Sequence, residues 1–164
     1  ANRGIVRNVV ADATAYVQRQ ARAAAHSAAA TAGEDPFVQQ TVGQLAANSF
    51  VIDTAIAESA KTLDRTANAF LAGAPENEIE RLLLESALAT ARTQITTGQL
   101  ALQAAERMFE TGGGSATSRK YNFDRHWRNI RTLLNHNPLN HKARVVGDYL
   151  VNGTTTHLEE GKDF

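Results

Sequence analysis

The sequence lacks cysteine, lacks an excess of charge of either sign and lacks any long apolar run. Without cysteine there is neither a disulfide framework nor a thiolate metal site, which suits a reducing compartment. Lys plus Arg and Asp plus Glu number 17 each, so no overall field recruits nucleic acid or an anionic membrane, and any basic patch is local. No stretch approaches the roughly 18 apolar residues of a membrane span, and no signal-peptide pattern opens the chain. These absences predict a soluble, cytoplasmic protein with no membrane and no nucleic-acid partner. Strand-like alternation and solenoid-length repeats are also missing.

What is present is helical periodicity. At 164 residues the chain is long enough for one well-buried core and short for two, so one domain is predicted, 1–153, with an aperiodic tail, 154–164. Val6, Val10, Ala13 and Val17 mark a first helix that gives way to "AAAHSAAATAGE". Asp35 followed by Pro36 is a start signal for a long second helix, whose predicted seam runs Val38, Val42, Leu45, Ser49, Ile52, Ile56, Ser59, Leu63, Thr66 and Phe70. Gly73 breaks that pattern, and Pro75 with an acidic first turn restarts it. Leu84, Leu88, Ala91, Ile95 and Leu102 line the third helix, which "TGGGSATS" ends. A fourth helix covers about 122–135, and Asn137 and Pro138 introduce a fifth that stops at Asn152 and Gly153. The fold class is all-α, an up-and-down bundle of long helices with a short extra C-terminal helix. The opening "ANRGIVRNVV" carries no initiator Met and is already helical by Ile5, the pattern of a segment cut from a longer chain.

Chemistry concentrates in "HWRNIRTLLNHNPL", residues 126–139. Phe123, Trp127, Ile130 and Leu134 form an apolar stripe predicted to pack on the bundle. Arg125, Asn129, Thr132 and His136 form a polar stripe on the opposite face. A solvated face is one reading of that stripe. Its guanidinium, amide, hydroxyl and imidazole groups instead suit ligand recognition. His136 stands out at the helix end beside the Asn-Pro break, although a structural histidine is the alternative. His126, His136 and His141 lack ligand spacing, so no metal site is predicted. "GGGSAT", 112–117, would let backbone approach a flat or anionic ligand, or would be a plain connector. Arg119, Lys120, Arg125, Arg128 and Arg131 could meet phosphates locally.

The segment "ERMFETGGGSATSRKYNFDRHWRNIRTLLNHNPLNHKARVVGDYLVNG" resembles the C-terminal helical domain of the acyl-CoA dehydrogenase superfamily. It is most similar to the flavin-dependent monooxygenase branch that includes dibenzothiophene monooxygenase, and "ARAAAHSAAATAGEDPFVQQTVGQLAA" resembles the same family. The resemblance implies a parent with an N-terminal helical domain and a central β-domain, a tetramer, FMN (or FAD) as cofactor, and a separate flavin reductase as partner. It implies that His136 of the His-x-Pro motif hydrogen-bonds the oxygen adduct of the reduced flavin as the catalytic residue. It also implies that Gly113, Gly114 and Ser115 approach the flavin, that Arg22 and Ser27 reach a neighbouring subunit's flavin phosphate, and that Asn129 belongs to the cofactor site. The expected function is that of the flavin-pocket and oligomerisation domain of a reduced-flavin-dependent monooxygenase acting on a small aromatic or organosulfur substrate. An FAD-dependent acyl-CoA dehydrogenase-like domain and a non-enzymatic helical module are the alternatives. The isolated domain is predicted to be inactive.

Overall fold

The computed structural model of the chain describes residues 2–155; the expected tail beyond Thr155 lies outside the described residues. Five α-helices account for the fold: α1 (Asn2–Arg19), α2 (Pro36–Leu71), α3 (Glu76–Arg107), α4 (Asp124–His136) and α5 (Leu139–Asn152). No strand occurs among the described residues, so the fold is an all-α helical bundle. No helix among them is long and apolar enough to cross a membrane. The chain divides into two compact units, one holding residues up to Ile52 and Gly98–Leu133, the other Asp53–Thr97 and the residues from Leu134 on.

Local signals set the helix ends. The Asp35 carboxylate accepts from the amides of Phe37 at 2.9 Å and Val38 at 3.3 Å, capping α2 ahead of Pro36. Gly73 takes a left-handed φ of 68° at the turn into α3, whose first turn carries Glu76 and Glu78 at the positive end of the helix dipole. Gly153, at φ 72°, closes α5 by donating its amide to the Tyr149 carbonyl. Pro138 stands at the start of α5 without a capping side chain. The three glycines do not form a loose connector: Met108–Thr111 and Gly113–Thr117 are short 3₁₀ turns.

Three stripes keep part of the predicted set, including Phe123, Ile130 and Leu134, and replace other members by the residue one position earlier. On α1 the buried residues are Val6, Val9, Ala13 and Tyr16. On α2, the predicted Leu45, Ile52, Ser59 and Thr66 are buried, but they are joined by Thr41, Asn48 and Thr62, while Leu63 and Phe70 are 50% and 69% exposed. The reason is close approach of α3. In the first unit Asn48 Nδ2 donates to Gln103 Oε1 at 3.2 Å. In the second, Thr66 Oγ1 donates to the Leu82 carbonyl and the Ser59 and Thr90 hydroxyls pair. Small hydroxyl residues satisfy themselves on their own helix, as Thr62 does on the Ser59 carbonyl at 2.7 Å, and so can face a neighbour that Leu63 or Phe70 would hold away. On α4, His126 is buried where Trp127 was expected, and Trp127 is 43% exposed with the Arg131 guanidinium 5.6 Å from its ring centre.

This replacement is testable on α2. Leu45→Ala is expected to cost about 2–5 kcal/mol by leaving a cavity, whereas Leu63→Ala costs less than about 1 kcal/mol. Urea-unfolding midpoints measure both, and equal losses would contradict the observed stripe.

Candidate functional site

Asp12, in the middle of α1, ties that helix to the start of α4. Its Oδ2 accepts from the Arg125 guanidinium and from His126 Nε2 at 2.7 Å. A carboxylate can only accept, so Nε2 carries the imidazole proton. His126 is 3% exposed, and burial lowers its pKa against the opposing pull of Asp12, so the ring is held neutral. Arg125 also donates to the carbonyls of Tyr121 and Asn122. Asn122 sits at a left-handed φ of 51°, and its side-chain oxygen accepts from Arg128 at 3.1 Å. The entry into α4 is therefore fixed from both sides.

One turn after Asp12, Tyr16 enters an aromatic cluster. Its ring meets Tyr121 edge-on at 4.9 Å and Phe123 at 5.4 Å, and Tyr121 stacks on Phe123 at 5.3 Å. Burial pushes the Tyr16 phenol up from its ordinary pKa. The same ring lies against Gly112: a Cβ there would overlap the ring and stand 2.7 Å from the hydroxyl. Gly112 is thus the position where only glycine admits the tyrosine, while Gly113 is required for its φ of 53°.

Tyr16 and this turn form part of the wall of a cavity of about 670 Å³ in the first unit. Arg22 enters from the segment after α1, Asp35 from the start of α2, and Glu110, Gly113 and Ser115 from the turns after α3. Lys120 and Tyr121 complete the wall ahead of α4. Charge decides what such a cavity accepts. Asp35 is spent on the Ser27 hydroxyl and on two amides, which hold its carboxyl below the usual range. Glu110 accepts from Arg107 and from the Thr41 hydroxyl at 3.3 Å each. Among the described residues neither Arg22 nor Lys120 has an ion-pair partner. Lys120 Nζ rests 4.6 Å from the Tyr121 ring centre, a cation–π contact of about 0.5–1 kcal/mol at an exposed site. The wall's anions are internally satisfied and its cations are not, so the cavity favours an anion.

The structure thus gathers Arg22, Gly113 and Ser115 around one cavity. It does not add the other predicted residues to that wall. Ser27 holds Asp35, and its oxygen accepts the Ala29 amide at 3.2 Å, so it shapes the segment that carries Arg22. Gly114 is exposed outside the lining, and Asn129 and His136 are exposed on α4. Tyr16 was not singled out from the sequence, whereas Gly112 lies in the glycine turn expected to approach a ligand and Lys120 among the basic residues expected to meet phosphates. Among the described residues no group of His, Asp or Glu could hold a metal.

Residues 2–141 match the family described as "Acyl-CoA dehydrogenase, C-terminal domain". The chain is 32% identical over 149 residues to dibenzothiophene monooxygenase of Mycolicibacterium goodii, covering 91% of this chain and 35% of that protein. It is 30% identical over 152 residues to the probable FMNH2-dependent monooxygenase SfnC of Pseudomonas putida, covering 91% of this chain and 36% of the relative. The solved structure of methanesulfinate monooxygenase MsuC from Pseudomonas fluorescens superposes with a TM-score of 0.81 at 27% identity, over 93% of this chain and 38% of that one. The chain therefore spans about a third of the length of the curated relatives it matches.

Two outcomes follow from this geometry. Gly112→Ala is expected to lower stability by about 1–3 kcal/mol because the Tyr16 ring must move, whereas Gly114→Ala, with open space around it, stays within about 0.5 kcal/mol; thermal melts compare them, and equal effects would contradict the Tyr16 contact. His126 has a folded pKa below its unfolded value of about 6.5, so as pH falls below that value the unfolded chain takes up a proton the fold refuses and stability declines. Denaturant midpoints between pH 7 and 5 should show this decline in wild type and a shallower one in His126→Gln; a steeper decline in the variant would refute it.

Proposed function

The chain belongs to the acyl-CoA dehydrogenase C-terminal-domain family, and on that premise we propose that residues 1–153 are the flavin-pocket and oligomerisation domain of a reduced-flavin-dependent monooxygenase. The parent enzyme uses FMN, delivered reduced by a separate reductase, and acts on a small aromatic or organosulfur substrate. It is a cytoplasmic homotetramer. The observation that carries this reading is the convergence of Arg22, Gly113 and Ser115 on one cavity with unspent positive charge. Those residues fit the phosphate end of a flavin. The guanidinium offers a bidentate clamp, and the glycine turn lets backbone come close to the ligand. Further support comes from the relatives, one named as FMNH2-dependent and others named for dibenzothiophene and methanesulfinate. Exposed Phe70 and Leu71 offer apolar surface for assembly.

Bound FMN, once reduced, supplies the chemistry that activates oxygen. The chain's own residues bind and orient it. Arg22 holds the phosphate, Gly113, Gly114 and Ser115 keep the approach free of bulk, and Ser27 fixes the segment that carries Arg22. Asn129 and His136 stand two turns apart on one face of α4. His136, in the last turn, would offer its imidazole N–H as a hydrogen-bond donor beside the bound cofactor, where reduced FMN would supply the oxygen chemistry.

The parent enzyme carrying reduced FMN, mixed with oxygen without substrate, is expected to release hydrogen peroxide at least roughly 10-fold faster as His136→Ala than as wild type, since one positioned donor is typically worth that or more. Equal rates would remove His136 from the chemistry, and bleaching of the oxidised flavin by an acyl-CoA would contradict the monooxygenase reading.

A further inference from the structure

The end of α5 carries a reactive pair that the flavin reading leaves unused. Asn152 is the only asparagine of the chain followed by glycine, and both residues are exposed. Glycine matters there because, with no Cβ, it leaves its own amide nitrogen open to the preceding side chain. The Gly153 nitrogen gives up its proton and attacks Asn152 Cγ. The new C–N bond closes a cyclic imide as the side-chain nitrogen leaves as ammonia, and water then opens the ring to an aspartate or an isoaspartate. No oxidant, reductant or metal takes part. Every other asparagine precedes a residue with a side chain, and Asn137 precedes Pro138, which has no amide proton to lose.

The fold restrains this pair through the C-terminal cap of α5. The Gly153 amide donates to the Tyr149 carbonyl at 2.9 Å, so the attacking nitrogen is engaged. Asn152 Nδ2 donates to Asp148 Oδ1 at 2.7 Å, which turns the side chain back toward the preceding turn. Thr154 Oγ1 donates to the same oxygen at 3.2 Å and ties the residue after the glycine to it. All of these contacts belong to one helix end, and helix ends open locally at little cost. Reaction therefore passes through opening of this turn and not through unfolding of the chain. The product no longer suits the place. Asparagine offers the donor that Asp148 accepts, whereas an ionised aspartate offers none. Like charges four residues apart on a helix repel, and the new charge stands at the negative end of the helix dipole. We infer that Asn152–Gly153 is a modification site, a deamidation site gated by the α5 cap, and that its conversion loosens the cap that restrains it. This inference does not depend on the flavin reading.

The test ages the full-length parent enzyme at neutral pH in native buffer and in urea, and follows conversion of each asparagine by peptide mapping and mass spectrometry. In native buffer Asn152 is expected to convert before any other asparagine, roughly tenfold more slowly than in urea, the cost of breaking the few hydrogen bonds of one turn. Hydrogen exchange of the Gly153 amide is then compared between wild type and Asn152→Asp, in which it should be several-fold faster, because the loosened cap no longer holds that amide on the Tyr149 carbonyl. Equal rates of conversion in buffer and urea would overturn the gating by the cap. Conversion of another asparagine first in native buffer, or none at Asn152 by the time the sample in urea is fully converted, would overturn the site itself. Unchanged exchange of the Gly153 amide in Asn152→Asp would overturn the loosening.

Discussion

The contact between the Tyr16 ring and Gly112 is the constraint on which the first unit depends. It joins α1 to the turns after α3 at a point where any side chain on the turn would collide with the ring. From there the ring reaches Tyr121 and Phe123, so the same contact orders the segment leading into α4. Asp12, one turn earlier, repeats the connection in polar form through Arg125 and His126. Apolar and ionic contacts thus act on neighbouring turns of a single helix. Together they leave the cavity beside Tyr16 with a rigid floor, and a rigid floor is what a binding site on turns requires.

The charges in the cavity wall are not equally committed. Four ionised side chains face it, and a simple tally would call it neutral. Asp35, however, caps α2 and accepts from Ser27, and Glu110 is held by Arg107 and Thr41. Carboxylates with their lone pairs occupied repel an incoming anion less than free ones would, whereas Arg22 and Lys120 keep their donors available. Helix capping and the cavity wall are therefore linked, since the residue that starts α2 spends its acceptor oxygens on its own helix and on Ser27 while staying ionised.

Much of the fold was legible in the sequence because helix ends are written locally. Asp35-Pro36, Gly73 with Pro75, and Gly153 each act within a few residues of themselves, and each stands where the periodicity placed it. The stripes were legible only to within one residue. Apolar spacing favoured Leu63, Phe70 and Trp127, but close helix approach favours small hydroxyl residues, and the burial of His126 depends on Asp12, more than a hundred positions away. No local pattern reveals such a partner. The site was partly legible for a similar reason. Family resemblance singled out Arg22, Gly113 and Ser115, which share a cavity, and the basic cluster that could contact phosphates included Lys120, whereas Tyr16 looked like one more residue of an ordinary helix. Only the fold shows that Ser27 serves Asp35.

The central claim is that this cavity holds the phosphate of a flavin. A crystal structure of the full-length parent enzyme with FMN tests it most directly. The account predicts phosphate density within hydrogen-bonding distance of the Arg22 guanidinium and beside the Gly113–Ser115 turn. Well-ordered FMN whose phosphate is held elsewhere, with Arg22 making no contact to it, would contradict the account.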